Sequence, residues 1–155
     1  MAYPHSLSGL TVREQIADVI VRACLAIDTN DKTLWESSWA SSPNISMEFP
    51  DFTLTGIESL NKDCLDRAGP MTTQHFVSSI RIDVKEGADT AHVTANGLHQ
   101  HFRAGQGKGI GDEFYLAGVT YDVRVVREAG GEWKMMKWGL KILWTQGTPA
   151  VMVPS

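Results

Sequence analysis

A chain of 155 residues with a formal net charge of -4 suits one domain around one sizeable core. Its 14 Lys and Arg against 18 Asp and Glu form no basic run, which excludes a nucleic-acid footprint and a basic helix for a membrane surface. Two cysteines, Cys24 and Cys64, make neither a disulfide framework nor a zinc-ligand spacing and fit reduced thiols in the cytoplasm.

Residues 1–10, with Pro4 and Gly9, read as a flexible N-terminal arm without the apolar run of a signal peptide. A single domain is expected over 11–146, followed by a tail over 147–155. Thr11 and Glu14 have capping-box spacing. From there Val12, Ile16, Val19, Ile20, Ala23, Cys24 and Ile27 recur at three and four, which predicts an amphipathic helix ending near Ala26 or Ile27. Asp28 follows, unfavourably placed for the helix dipole. Either the turn Asp28-Thr29-Asn30-Asp31 satisfies it locally, or it is aimed at a charge inside the fold. Asp31 can cap a second, shorter helix that buries Leu34, Trp35 and Trp39.

Ile45–Phe49 alternates as a half-buried strand, and Phe52–Leu54 pairs back as a hairpin. Gly56 opens a third helix, Ile57–Arg67, closed by Ala68-Gly69-Pro70. Then the period changes to two. Strands are predicted over about 72–84, 91–103, 112–127 and 132–144. The loop Ala104–Gly111 lacks the Gly-Lys-Ser/Thr of a phosphate-binding loop and reads as a hairpin connection. Helices first and long meandering strands later predict an α+β fold: N-terminal helices packed on a strongly curved, mainly antiparallel sheet. Such a sheet makes a cone-shaped barrel, and the inside of a cone is a natural small-molecule pocket.

Three of the five histidines lie on two of these strands: His75 in MTTQHFVSSIRI, and His99 and His101 in TANGLHQHFR. His99 and His101 share a strand face with the small residues Gly97 and Ala95. Imidazoles among apolar residues suit proton transfer, and equally suit buried histidines bonded to backbone. On the next strand Thr120, Asp122, Arg124 and Val126 share one face, and Val119, Tyr121, Val123 and Val125 the other. In the last strand Trp138, Leu140, Ile142 and Trp144 alternate together. The cations Arg81, Arg103 and Arg124 read as solvent-facing or salt-bridged.

These residues carry a resemblance. Thr73-Gln74-His75-Phe76, His101 with Arg103, the Ile27-Asp28…Trp35 pattern and the ending Gly131-Glu132-Trp133-Lys134 resemble the scytalone dehydratase-like, SnoaL-like members of the nuclear transport factor 2-like superfamily. The resemblance implies that His75 and His101 are the two catalytic histidines and that Asp28 is the buried aspartate that orients the second. It implies a cofactor-free site and a homo-oligomer, dimer or trimer. The chain departs from the dehydratase at Ile27 and Phe49, where that enzyme has tyrosines, and at Thr120 and Asp122, where it has serine and asparagine. Scytalone itself is therefore not the expected substrate. The expected pocket residues are Asp122, Thr120, Arg124, Phe49, Trp39 and Trp138, with Asp122 within reach of a catalytic histidine. Asp122 with His75 and His101 could in principle hold a metal ion, although the family works without one.

The function these features imply is acid/base catalysis without a cofactor: dehydration, isomerisation or cyclisation of a polyketide-derived aromatic or hydroaromatic molecule in secondary metabolism. The alternatives are a binding module for an apolar small molecule and an association domain that presents its sheet to a partner.

Overall fold

The first helix begins where its cap dictates. In the computed structural model, which describes residues 3–153, Thr11 Oγ1 accepts from the Glu14 amide at 3.3 Å. The Thr11 amide donates to Glu14 Oε2 at 2.7 Å. This capping box opens α1 (Val12–Thr29), whose buried stripe is Ile16, Val19, Ile20, Ala23, Cys24, Ala26 and Ile27. Asn30, in the left-handed conformation at φ 52°, stops it. Asp31 then caps α2 (Lys32–Ser37), accepting from the Leu34 amide at 2.9 Å.

β1 (Ser46–Glu48) and β2 (Thr53–Thr55) form the short hairpin. The third helix is not uniform. It runs as α3 (Ile57–Leu60), a π turn (Asn61–Leu65) and α4 (Asp66–Ala68). Four long strands follow: β3 (Thr72–Asp83), β4 (Thr90–Phe102), β5 (Phe114–Arg127) and β6 (Trp133–Gly147), then a 3-10 turn (Pro149–Met152). Of the expected arm and tail, residues 1–2 and 154–155 lie outside the described residues.

The six strands form one sheet in the order β2-β1-β6-β5-β4-β3. Every pairing is antiparallel except β1 with β6. Register shifts at Ser78/Arg81, Gly118/Val119 and Arg124/Val125 bend the strands, as bulges do, and the curved sheet wraps the helices. One bulge changes a sequence expectation. Ile142 pairs Val119 on the inner face, but Trp144 pairs Gly118, so the extra residue Leu143 turns Trp144 to the outside. The indole lies over Gly118, where a Cβ would meet its Cε2 at 2.2 Å.

The core lies between the helices and the inner sheet face. Trp35, Trp39 and Trp138 anchor one end, with ring centroids 5.4–6.4 Å apart. Among the described residues no helix is long and apolar enough to cross a membrane.

Candidate active site

Asp28 is the residue on which the site is built. It sits in the last turn of α1, which packs along β3, and its carboxylate reaches the start of that strand. Asp28 Oδ2 accepts from the His75 amide at 2.8 Å, and Oδ1 accepts from the Thr73 hydroxyl at 2.8 Å. His75 Nδ1 donates to Oδ1 at 2.5 Å, since a carboxylate can only accept. Burial alone would push the Asp28 carboxyl up. The His75 hydrogen bond and charge, the backbone amide and Thr73 outweigh it and hold the group below the usual carboxylate range. The sequence expectation paired Asp28 with His101. The structure pairs it with His75, because helix α1 ends beside the edge strand β3 and not beside β4.

The other two imidazoles stand against the first. His75 and His99 are direct cross-strand partners with ring centroids 4.4 Å apart. His101 lies 5.2 Å from His75 and edge-on to it. Both β4 histidines are buried, and burial above all holds them neutral at pH 7. His101 is pushed down to about 4, an effect that the Tyr115 backbone and Asp28 offset only in part. His99 is pushed down to about 2. Its Nε2 hydrogen-bonds the hydroxyl of Tyr121.

The three histidines line a cavity of about 280 Å³ between the sheet and the helices. Its walls are apolar: Ile27, Met47, Phe49, Phe52, Met71, Val119, Trp138, Leu140 and Ile142. Asp63, Cys64 and Arg67, from the π turn and α4, stand on the helix side. A larger depression of about 810 Å³ lies on the outer sheet face, bordered by Glu48, Arg81, Asn96, Asp122 and Lys141. It is an open trough that none of the three site histidines reaches.

Of the expected pocket residues, Phe49 and Trp138 line this cavity. Trp39 does not: it is buried in the tryptophan cluster beneath. Asp122, Thr120 and Arg124 are corrected in position. They lie on the outer face, where Asp122 meets His92 at 3.2 Å and Arg124 at 4.0 Å. The reason is alternation along β5. The helices need an apolar surface, so Val119, Tyr121 and Val123 face them and the polar set is turned out. Asp122 therefore cannot join His75 and His101 in a metal site, and no group of three His, Cys, Asp or Glu among the described residues is placed to hold a metal ion. The resemblance gave His99 no role, although its two-residue spacing from His101 already put it on the same face. Tyr121 was not singled out, because its contact depends on the register of β4 against β5.

The model of the SnoaL-like domain family matches residues 8–139. The chain belongs to the SnoaL-like family. It is 36% identical over 152 residues, 97% of this chain and 96% of the other, to "Terrestric acid biosynthesis cluster protein E" of Penicillium crustosum. Among solved structures it resembles a candidate scytalone dehydratase from Novosphingobium aromaticivorans, with a TM-score of 0.72 and 21% identity over 88% of this chain and 87% of that one. A type-3 hexachlorocyclohexane dehydrochlorinase from Novosphingobium barchaimii superposes with a TM-score of 0.69 at 17% identity, over 92% of this chain and 94% of that one. At these identities the structural likenesses establish the fold shared by SnoaL-like chains, the nuclear transport factor 2-like cone.

Proposed function

We propose that this SnoaL-like domain is a cofactor-independent lyase or isomerase of secondary metabolism, acting on a polyketide-derived aromatic or hydroaromatic molecule. The observation that carries the reading is the Asp28–His75 pair in an apolar cavity beside two neutral imidazoles. The relative from a terrestric acid biosynthesis cluster supports the metabolic setting.

Asp28 keeps the His75 proton on Nδ1, so Nε2 is the free base. Nε2 takes a proton from carbon beside a substrate carbonyl. The imidazolium so formed has a carboxylate at 2.5 Å. In a dehydration the C–H electron pair becomes the new C=C bond and the C–O bond breaks. The departing oxygen takes the proton back from Nε2 and leaves as water. In an isomerisation the same proton returns to a different carbon. His101, neutral at pH 7, orients the substrate by hydrogen bonding rather than acting as a charged acid. The apolar walls suit a planar ring, with Trp138 and Phe49 as its contacts. A homo-oligomer, dimer or trimer, belongs to the same reading, and the exposed outer-face residues Phe76, Leu98 and Trp144 support it.

The test is a screen of hydroxylated naphthalenones, anthrones and xanthone precursors by mass. Loss of water identifies a dehydratase, and a same-mass product an isomerase or cyclase. With the substrate found, His75→Ala and His101→Ala are each expected to lose at least about 10²-fold in turnover. Full rate in both variants overturns the site. Saturable binding without turnover would instead make the domain a binding module, a reading the apolar lining also suits.

A further inference from the structure

Tyr121 is a phenol in the wrong place for a core residue. It is 2% exposed, on the inner face of β5, and its ring packs edge-on against Trp138 at 5.2 Å. Across the sheet it stands opposite Ala95, not opposite His99. To reach His99 its hydroxyl leans along β4 over Gly97. A Cβ on Gly97 would lie 2.5 Å from that hydroxyl and 2.7 Å from Val119 Cγ2. Gly97 is thus a notch that seats the phenol, and no positive φ calls for glycine there.

His99 from β4 and Cys24 from α1 are in hydrogen-bond reach of the hydroxyl, and Asp28 from α1 and Cys64 from the π turn act on it only through their charge. Burial holds the Cys24 thiol and the Tyr121 phenol protonated and His99 neutral. One phenolic proton then has two possible acceptors. An imidazole nitrogen is far the better acceptor than a thiol sulfur, so the O–H bonds to His99 Nε2. The ring proton of His99 must then sit on Nδ1. Nε2 is occupied by Tyr121 and the ring lines the cavity, which leaves Nδ1 for a ligand.

We propose that Tyr121, seated in the Gly97 notch, fixes His99 as its Nδ1–H tautomer and so makes it a hydrogen-bond donor toward a substrate oxygen. Tyr121 is a positioning residue, acting through His99. The catalytic half of this inference rests on the proton-transfer reading above; the tautomer does not. The two histidines next to each other are then set in complementary states: His75 offers a free nitrogen, His99 an N–H. A base and a donor for the developing oxyanion within 4.4 Å, centroid to centroid, are what enolisation of a carbonyl compound needs.

The test is long-range proton–nitrogen NMR of the full chain labelled with nitrogen-15 in histidine, at pH 7. His99 is expected to show the Nδ1–H pattern, and Tyr121→Phe to move it toward the Nε2–H form while circular dichroism stays unchanged. An Nε2–H pattern in the unsubstituted protein overturns the proposal, and needs no variant to fold. So does a tautomer that ignores Tyr121→Phe. Where a substrate has been found, Tyr121→Phe is expected to lower kcat about ten-fold with KM little changed; an unchanged kcat also overturns it. A locked tautomer with no turnover of any screened compound leaves Tyr121 in its place and removes only the enzyme reading.

Discussion

At the scale of residues, three hydrogen bonds converge on one carboxylate. Asp28 binds the His75 ring, the His75 amide and the Thr73 hydroxyl, so it fixes both the position and the tautomer of that imidazole. Asp28→Asn is expected to lose at least about 10²-fold in turnover with the fold intact, because the amide keeps the shape and loses the charge. Thr73→Val removes one of the three bonds and should lose about ten-fold or less. The carboxyl is held below its usual range, so Asp28 stays charged through the neutral range. Asp122→Asn is expected to leave rate and profile unchanged, since Asp122 sits on the outer face with His92. Rates with the screened substrate check all three variants. The sequence marked His75, His101 and Asp28 as candidates through three separate patterns: Thr73-Gln74-His75-Phe76, His101 with Arg103, and Ile27-Asp28…Trp35. It did not reveal which histidine Asp28 meets, because that depends on the angle at which α1 crosses the sheet. On β5 two faces were legible but not their direction. Likeness drew Thr120 and Asp122 inward, while packing against the helices required Val119 and Val123 there.

At the scale of elements, local chemistry was easier to read than pairing. The capping box at Thr11, the Asp31 cap and the β1–β2 hairpin all follow from neighbours in sequence, and the structure has each of them. The π turn in the third helix, the parallel pairing of β1 with β6 and the bulge that expels Trp144 depend on distant partners and left no local mark. Two glycines on adjacent strands separate the kinds of cost involved. At Gly118 an added Cβ meets Trp144, which is half exposed near a strand end and can swing away. At Gly97 it meets the buried Tyr121 and Val119, which cannot. Gly97→Ala is expected to destabilise by about 1–3 kcal/mol and Gly118→Ala by less than about 1 kcal/mol. Urea unfolding midpoints of the two variants measure the difference. Equal midpoints would show that the notch over Gly97 is not tight.

At the scale of the whole molecule, a polar site built into an apolar core ties stability to pH. His99 and His101 have folded values of about 2 and about 4, below the ordinary 6.5. Between those limits the unfolded chain binds protons that the folded chain refuses. Stability is then fully present above about pH 6.5 and falls as the pH drops, by at most about 1.4 kcal/mol per pH unit for each histidine. For His101 the loss is complete once the pH reaches its folded value. Asp28 adds nothing in this window, because a lowered carboxyl loses its stabilisation only below the ordinary 3.8. Asp18, raised by burial, works in the opposite direction and is a single half-buried group beside Arg22. On the alkaline side the sign follows from the thiols. Cys24 is pushed up and Cys64 is pushed up to about 12, so the folded chain holds protons that the unfolded chain releases above about 9. Stability should therefore be greatest between about pH 6.5 and 9. Urea unfolding at steps from pH 7.5 to 4.5 is expected to show a steadily falling midpoint. In His101→Gln the slope should be visibly flatter, because one of the two refused protons is gone. A midpoint that stays level from pH 7 to 4.5 would mean that the two imidazoles take up protons in the folded chain and that the cavity around them is open to water.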